Sequence, residues 1–178
     1  KNLRDGYGRA AFKTAINDFR SYKHLEMYVH LEAIGGDDLR DGELSAFLRI
    51  GTDNQDNYYE YNMPLKVTTT DPFAIWPDEN KMDIQLELFQ KAKLARNIAR
   101  TSAGLPWPIN IPFNYSDGKN VIIVKGQPDM SKVRVYMLGL KNPLRNPASP
   151  AGDDGLEKRG EVWFNELRLT AFDERGGW

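Results

Sequence analysis

The segment His24–Ala33, with the sequence HLEMYVHLEA, decides the fold because its apolar and more polar side chains alternate along its whole length. Successive side chains of a β-strand point to opposite faces, so a period of two marks a strand with one buried and one solvated face. The apolar face consists of Leu25, Met27, Val29, Leu31 and Ala33. The other face consists of His24, Glu26, Tyr28, His30 and Glu32.

The same alternation recurs in the two segments that follow. Apolar side chains occupy every second position of residues 44–50 and of residues 58–67, which predicts two more strands. Gly35-Gly36-Asp37-Asp38 and Asp41-Gly42 are turn-forming sequences, so we expect residues 24–33 and 44–50 to form a hairpin with a long turn. Pro64 cannot donate a ladder hydrogen bond, and it therefore predicts an edge strand or a bulge.

Residues 82–99 combine a strand pattern with a helix pattern. Residues 82–86 alternate, whereas residues 88–96 are rich in helix formers and place Leu88, Ala92 and Ala95 on one side. These patterns predict a short strand followed by a helix that ends near residue 99.

Three more strands are predicted in the second half of the chain, at residues 121–124, 133–137 and 162–169. The expected faces are Val133, Val135 and Met137 on one side of their strand, and Val162 and Phe164 opposite Trp163, Leu167 and Leu169 on the last one. Asp71-Pro72, residues 104–108 and the proline- and glycine-rich residues 142–155 are expected to be loops.

The expected fold is mostly β: an antiparallel β-sandwich of jelly-roll type with one short helix, formed by residues 1–178 as a single domain. Regular alternation of helices and strands is missing, which argues against a parallel α/β sheet. The expected core includes Leu25, Val29, Leu31, Leu44, Leu48, Ile50, Val133 and Val135.

The composition excludes several functional classes. Basic residues number 24 and acidic residues 25, so the net charge is −1, which argues against a protein that grips nucleic acid phosphates. The chain has no cysteine, and therefore no disulfide framework and no thiolate zinc site. No apolar run approaches the length of about 20 residues that a membrane helix needs. The ends of the sequence lead us to expect a domain excised from a longer polypeptide.

The two histidines do not predict a shared metal or catalytic site. His24 and His30 are six residues apart on one strand, or about 20 Å at the rise of an extended chain. We expect both to be ordinary residues of the solvated or partly packed face. Neither a phosphate-binding loop nor a serine elbow occurs in the sequence. The sequence thus predicts no catalytic residue, no cofactor and no transition metal.

Clusters of carboxylates occur in the predicted loops. They are Asp37, Asp38 and Asp41, then Asp53 and Asp56, and finally Asp153 and Asp154. Oxygen ligands in loops suit calcium, but none of these clusters has the spacing of a calcium-binding loop, and solubilising turn residues are the expected role. Glu161 and Glu166 are a conceivable acid/base pair of a glycosidase. The sequence fixes neither their separation nor a cleft around them, so no such pair is predicted.

Aromatic residues are the strongest candidates for contact with a partner. Tyr58 belongs to a tyrosine-rich strand, and Trp76 and Trp107 stand beside prolines in loops. Such rings suit flat contact with sugars or with another protein. The alternative is that the tyrosines pack the sandwich and the tryptophans close its ends.

Three segments carry a resemblance to known proteins: residues 41–61, which begin DGELSAFLRIGTD, residues 133–143, VRVYMLGLKNP, and residues 160–178, GEVWFNELRLTAFDERGGW. They resemble the SprA/Sov family of gliding-motility and secretion proteins. The resemblance implies a very large outer-membrane protein of type IX secretion in Bacteroidetes, with other secretion-system proteins and secreted cargo as partners. The family carries no catalytic motif that can be transferred to these residues.

The resemblance implies that this chain is a non-catalytic structural or interaction domain. Its short strands and acidic loops do not have the lipid-facing pattern of a barrel wall, so it is expected to face the extracellular space or the periplasm without entering the membrane. The last strand is also similar to strands of carbohydrate-binding jelly rolls. A carbohydrate-binding module is therefore the alternative, with glycans as its ligands.

Overall fold

The computed structural model describes residues 2–35, 38–68, 74–146 and 154–172. In these ranges the chain forms nine strands, one α-helix and two short 3₁₀ turns, at Asp78–Asn80 and Met130–Lys132. The elements are β1 (Gly8–Asn17), β2 (His24–Ala33), β3 (Ser45–Gly51), β4 (Tyr58–Pro64), β5 (Lys81–Gln85), α1 (Glu87–Ile98), β6 (Phe113–Asp117), β7 (Asn120–Lys125), β8 (Val133–Lys141) and β9 (Gly160–Thr170).

The strands form two sheets. The large sheet has six strands in the order β1-β8-β3-β4-β7-β6, and the small sheet has three in the order β5-β2-β9. Every strand pair is antiparallel. The predicted fold, mostly antiparallel β with two sheets and one helix, is confirmed. The jelly-roll type is compatible with this strand order.

The core lies between the sheets and is built from the alternate positions that the sequence predicts. The small sheet contributes Leu25, Met27, Val29 and Leu31, and the large sheet contributes Ala46, Leu48, Ile50, Tyr59, Tyr61 and Met63, all of them buried. Burial of a single leucine or isoleucine side chain contributes about 1.5–3 kcal/mol. Opposing rows of this kind therefore hold the two sheets together.

The predicted strand and helix of residues 82–99 are confirmed as β5 and α1. The helix buries Phe89, Ala92 and Arg96, which recur every three or four residues and so lie on one face. Leu88 and Ala95, which were expected on one side with Ala92, are only half-buried. Within the described residues, no helix is long and apolar enough to cross a membrane.

The predicted hairpin between residues 24–33 and 44–50 is wrong. β2 belongs to the small sheet, where it pairs with β5 and β9. β3 belongs to the large sheet, where it pairs with β4 and β8. The connection between them crosses from one sheet to the other, so both strands turn their apolar faces toward the same core from opposite sides.

Two strands were not predicted. The side chains of β1 are almost all exposed, on both faces of the strand, so its sequence carries no alternating signal. β6 is short and half exposed, and its sequence FNYSD is too polar to predict a strand. Both strands are held by backbone pairing, β1 with β8 and β6 with β7, and both end the large sheet.

The predicted faces of β8 and β9 are corrected. In β8, Val133 is buried in the core as expected, whereas Val135 and Met137 are only half-buried. Further along the strand the core side carries Tyr136, Leu138 and Leu140. In β9 the register shifts opposite β2 between Glu26 and Tyr28.

The shift in β9 is a β-bulge, and Glu166 adopts the left-handed conformation there, with φ of 56°. The bulge changes which positions point inward. Leu169 packs on the core together with Val162 and Phe164, although the simple alternation places them on opposite faces.

Pro64 was expected to mark an edge strand or a bulge, whereas β4 is an interior strand. Pro64 is the last residue of β4 and lies beyond the part that pairs with β7. Its missing N–H therefore removes no hydrogen bond from the β4–β7 pair. The expected loop residues Gly36, Asp37, Asp71, Pro72, Pro147, Pro150, Gly152 and Asp153, and the resemblance over residues 173–178, lie outside the described residues.

Candidate functional site

Trp76 lies in the loop that leads into the 3₁₀ turn at Asp78–Asn80, and 37% of its surface is exposed. Its ring meets that of His30 on β2 edge to face, with centroids 6.1 Å apart. The loop therefore places one indole on the outer face of the small sheet, where it covers part of the polar side of β2.

Trp163 on β9 contacts the same histidine. It is paired with His30 across the β2–β9 ladder, and the two rings stack with centroids 4.7 Å apart and an angle of 29°. The indole N–H donates to Glu161 Oε1 at 2.7 Å, and 45% of the residue remains exposed. Aromatic pairs in directly opposite positions stabilise a sheet and hold each other's rotamers.

His30 was expected on a solvated or partly packed face, and only 1% of it is exposed. The two tryptophans bury it. Its Nδ1 lies 2.9 Å from the Ile75 carbonyl oxygen, which can only accept, so Nδ1 carries the proton. Nε2 is buried without a hydrogen-bond partner, and the nearest carboxylate oxygen, Glu32 Oε1, is 3.6 Å away.

We call this group the Trp76–Trp163 surface; it consists of Trp76, His30, Trp163, Glu32 and Glu161. Glu32 and Glu161 are directly opposite each other in the β2–β9 ladder. Like charges in such positions destabilise a sheet, so this arrangement is not explained by stability. The surface offers two flat apolar rings beside carboxylate acceptors, which suits contact with a protein or with sugar hydroxyls.

Trp107, the second predicted loop tryptophan, belongs to a different part of the fold. Its ring meets Phe113 of β6 edge to face at 5.5 Å, and its N–H donates to the Ile111 carbonyl at 3.2 Å. It is half-buried. Trp107 therefore packs against the edge of the large sheet, whereas Trp76 packs on the small sheet.

Tyr58 does not offer an open ring, because only 6% of it is exposed. The guanidinium carbon of Arg49 lies 3.9 Å from the ring centroid. Burial raises the pKa of the Tyr58 hydroxyl. The expectation of an exposed stacking platform at position 58 is corrected on this point.

Beside Tyr58, on the outer face of the large sheet, lies a buried carboxylate. Glu60 accepts from Arg49 and from Lys141, each at 2.6 Å. Burial alone would raise the pKa of Glu60, but the two cations together hold it below its usual value. A buried charge is tolerated when it is paired in this way, so the cluster holds neighbouring strands in register.

The loop carboxylates of the described residues serve local structure. Asp53 accepts from the backbone N–H groups of Gln55, Asp56 and Asn57 and from the Asn57 side chain. Asp154 pairs with Lys158 at 2.9 Å, and Asp41 accepts from the Val67 N–H. These contacts fit the expected role of turn residues.

One group of side chains has the composition of a metal site. Ligand atoms of His24, Glu26 and Asp83 lie within 4.8 Å of one another, on β2 and β5. Each already has a partner: His24 Nδ1 is 2.8 Å from Asp83 Oδ1, and Glu26 is 3.3 Å from Lys81 Nζ. The Lys81 ammonium supplies positive charge at this place. The absence of a tightly held metal stays a prediction.

The sequence analysis found Trp76 but missed its neighbours. Trp163 was placed only on the face of the last strand opposite Val162 and Phe164, and its position opposite His30 depends on the pairing of β2 with β9. His30 was missed because the loop that covers it is distant in sequence.

Comparison with known proteins identifies one family. The sequence profile of the family described as motility related/secretion protein, SprA_N, matches residues 1–178, the whole chain. No curated protein matches the chain.

Proposed function

The chain belongs to the family described as motility related/secretion protein, and from that premise we propose that it is a non-catalytic interaction domain that acts through the Trp76–Trp163 surface. The family assignment confirms the resemblance drawn from the sequence. In this role the domain presents a surface to other proteins of secretion and motility.

The observation that carries the proposal is the exposure of two tryptophans around one buried histidine. Trp76 is 37% and Trp163 45% exposed, although both are large apolar rings. Tryptophan is enriched where protein interfaces gain most of their binding energy. His30 holds both rings in place, so little side-chain entropy is lost when a partner covers them.

The cellular setting follows from the resemblance to the SprA/Sov family. We place the domain in a much larger outer-membrane protein of type IX secretion and gliding motility, facing the extracellular space or the periplasm. Its partners are other proteins of the secretion system and the secreted cargo. Nucleic acid binding is not part of the proposal, since the net charge is −1. Membrane insertion of this domain is not part of it either.

A non-catalytic role is supported by the way in which the acidic residues are used. Glu161 accepts from Trp163, and Glu166 lies on the bulge of β9, 3.6 Å from Arg168. The loop aspartates are held by backbone N–H groups and lysines.

The second candidate function is carbohydrate binding, and the same surface favours it. Indole rings stack on sugar faces, and Glu32 and Glu161 provide acceptors for hydroxyl groups beside them. Titration of tryptophan fluorescence with polysaccharides separates the candidates. A saturable shift that Trp76→Ala or Trp163→Ala abolishes would favour the carbohydrate-binding module.

The proposal is tested in the full-length protein in its bacterium. The double variant Trp76→Ala/Trp163→Ala should reach the outer membrane and lose cargo export. The matched control removes two exposed apolar side chains elsewhere, Leu94→Ala/Leu105→Ala, and should leave export unchanged. Normal export in the tryptophan double variant would refute the proposal.

A further inference from the structure

β1 is the end strand of the large sheet, and no other described strand pairs with its outer edge. It spans Gly8–Asn17, and its side chains are exposed on both faces, including Phe12 at 66% and Ile16 at 79%. An edge strand with free N–H and C=O groups is a template for another strand. β1 thus combines an open hydrogen-bonding edge with exposed apolar side chains.

β9 is an end strand of the small sheet, and it lies on the same side of the sandwich as β1. The two strands border a cleft of about 430 Å³. The bulge at Glu166 turns Leu167 toward this cleft, whose inner wall includes Leu25 and Leu138. The cleft therefore opens between the free edges of both sheets onto apolar core residues.

The two faces of β1 differ in chemistry. Arg9, Ala11 and Lys13 are paired through β8 with Ala46, Leu48 and Ile50 of the core, so they point to the inner side. Ala10, Phe12 and Thr14 point to the outer side. The inner side of β1 is cationic, and the outer side is mostly apolar.

The inner cations lack partners. Among the described residues, neither Arg9 nor Lys13 forms an ion pair or a side-chain hydrogen bond. Of these two cations only Lys13 lines the cleft; Arg168 lies at the β9 border, 3.6 Å from Glu166, and the lining of the cleft contains no carboxylate. The charge of this region therefore favours an acidic ligand.

A second copy of this chain is a poor occupant. Antiparallel pairing of two β1 strands centred on Ala11 would place Arg9 of one copy opposite Lys13 of the other. Like charges in neighbouring positions on one face destabilise a strand pair. The occupant must instead carry carboxylates on the face that meets Arg9 and Lys13.

We propose that β1 binds an extended polypeptide segment whose apolar residues alternate with acidic ones, which pairs with its free edge and closes the cleft between β1 and β9. Backbone hydrogen bonds to β1 provide affinity, and the alternate side chains provide specificity. On the inner side of β1, carboxylates of the bound segment lie beside Arg9 and Lys13, and an apolar residue between them lies opposite Ala11, above Leu138. On the outer side, apolar residues of the segment pack on Phe12. This contact is separate from the Trp76–Trp163 surface.

The test uses the 178-residue chain and a labelled peptide, Ser-Val-Glu-Val-Leu-Val-Glu-Val-Ser, with fluorescence anisotropy as the readout. The control peptide has lysine in place of both glutamates. We expect the acidic peptide to bind and the lysine peptide to bind at least about tenfold more weakly, because two cross-strand pairs change from attraction to repulsion. The variant Arg9→Glu/Lys13→Glu should reverse this preference.

The matched control is Lys119→Glu, which reverses an exposed charge next to the opposite edge of the same sheet, and it should bind the acidic peptide as the wild type does. Equal binding of both peptides, or an unchanged preference in Arg9→Glu/Lys13→Glu, would overturn the proposal. Dimerisation of the chain that Lys13→Glu abolishes would also overturn it, since the edge would then be occupied by a second copy. Because these variants leave Trp76 and Trp163 intact, failure here is distinguishable from failure of the proposed function.

Discussion

Trp163 stacks on His30 across the β2–β9 pair, with ring centroids 4.7 Å apart, and this contact fixes the surface that Trp76 completes. The alternation of β2 predicts a solvated side chain at position 30. The histidine is buried because an indole from β9 and an indole from the 74–77 loop cover it.

The first prediction concerns His30. The change His30→Ala should lower the free energy of unfolding by about 2 kcal/mol, because it removes a buried ring that two tryptophans pack against. Urea unfolding monitored by tryptophan fluorescence measures this. His24→Ala is the control: it removes a partly exposed histidine paired with Asp83 and should cost less than about 1 kcal/mol. Equal costs for the two changes would contradict the packing described here.

The second prediction concerns the core between the sheets. Leu48→Ala should cost about 2–5 kcal/mol, since Leu48 is fully buried on β3 and the neighbouring side chains cannot close the cavity. Leu94→Ala on the exposed side of α1 should change stability by no more than about 0.5 kcal/mol. A small effect at Leu48 would mean that the two sheets do not pack as described.

The third prediction concerns acid stability. Burial alone would raise the pKa of Asp53, but hydrogen bonds from the Asn57 side chain and from three backbone N–H groups lower it from 3.8 to about 2. The ionised form is therefore favoured by the folded state. The stability that it contributes is present above pH 3.8 and is lost as the pH falls toward 2.

The test is urea unfolding across this pH range. Asp53→Asn keeps the size of the side chain but cannot ionise, so its stability should fall less steeply than that of the wild type between pH 3.8 and about 2. Parallel stability curves for the two proteins would rule out this role of Asp53.

The fourth prediction concerns metal. Chelator-washed protein should contain no stoichiometric zinc or copper, because His24, Glu26 and Asp83 are already partnered and Lys81 lies beside them. Elemental analysis measures the metal content directly. A stoichiometric metal that disappears in Asp83→Ala would show that this group is a metal site.

The sequence predicts strands well where burial differs between the faces. β2 was predicted with its exact bounds because every second side chain from Leu25 to Leu31 reaches the core. β1 could not be predicted, since its side chains are exposed on both faces and only pairing with β8 holds it in place. The faces of β9 could not be predicted because alternation does not reveal a bulge such as that at Glu166.

The candidate site was only partly predictable for a similar reason. Trp76 was recognised in the sequence because it stands beside a proline in a predicted loop. Its contact with His30 could not be predicted, since the two residues are far apart in sequence. Tyr58 alternates correctly along β4, but its burial depends on Arg49 of the neighbouring strand. Sequence patterns place a side chain on a face, and only the pairing of strands shows what covers it.

The most direct test of the central claim compares aromatic and carboxylate variants in the full-length protein, with cargo export as the readout. We expect Trp76→Ala/Trp163→Ala to abolish export from a folded protein that reaches the outer membrane, and the single changes Glu166→Gln and Asp154→Asn to leave export nearly intact. Surface substitutions of this kind usually shift stability by no more than about 0.5 kcal/mol. Loss of export in a lone carboxylate variant, with normal export in the tryptophan double variant, would contradict an account based on a contact surface.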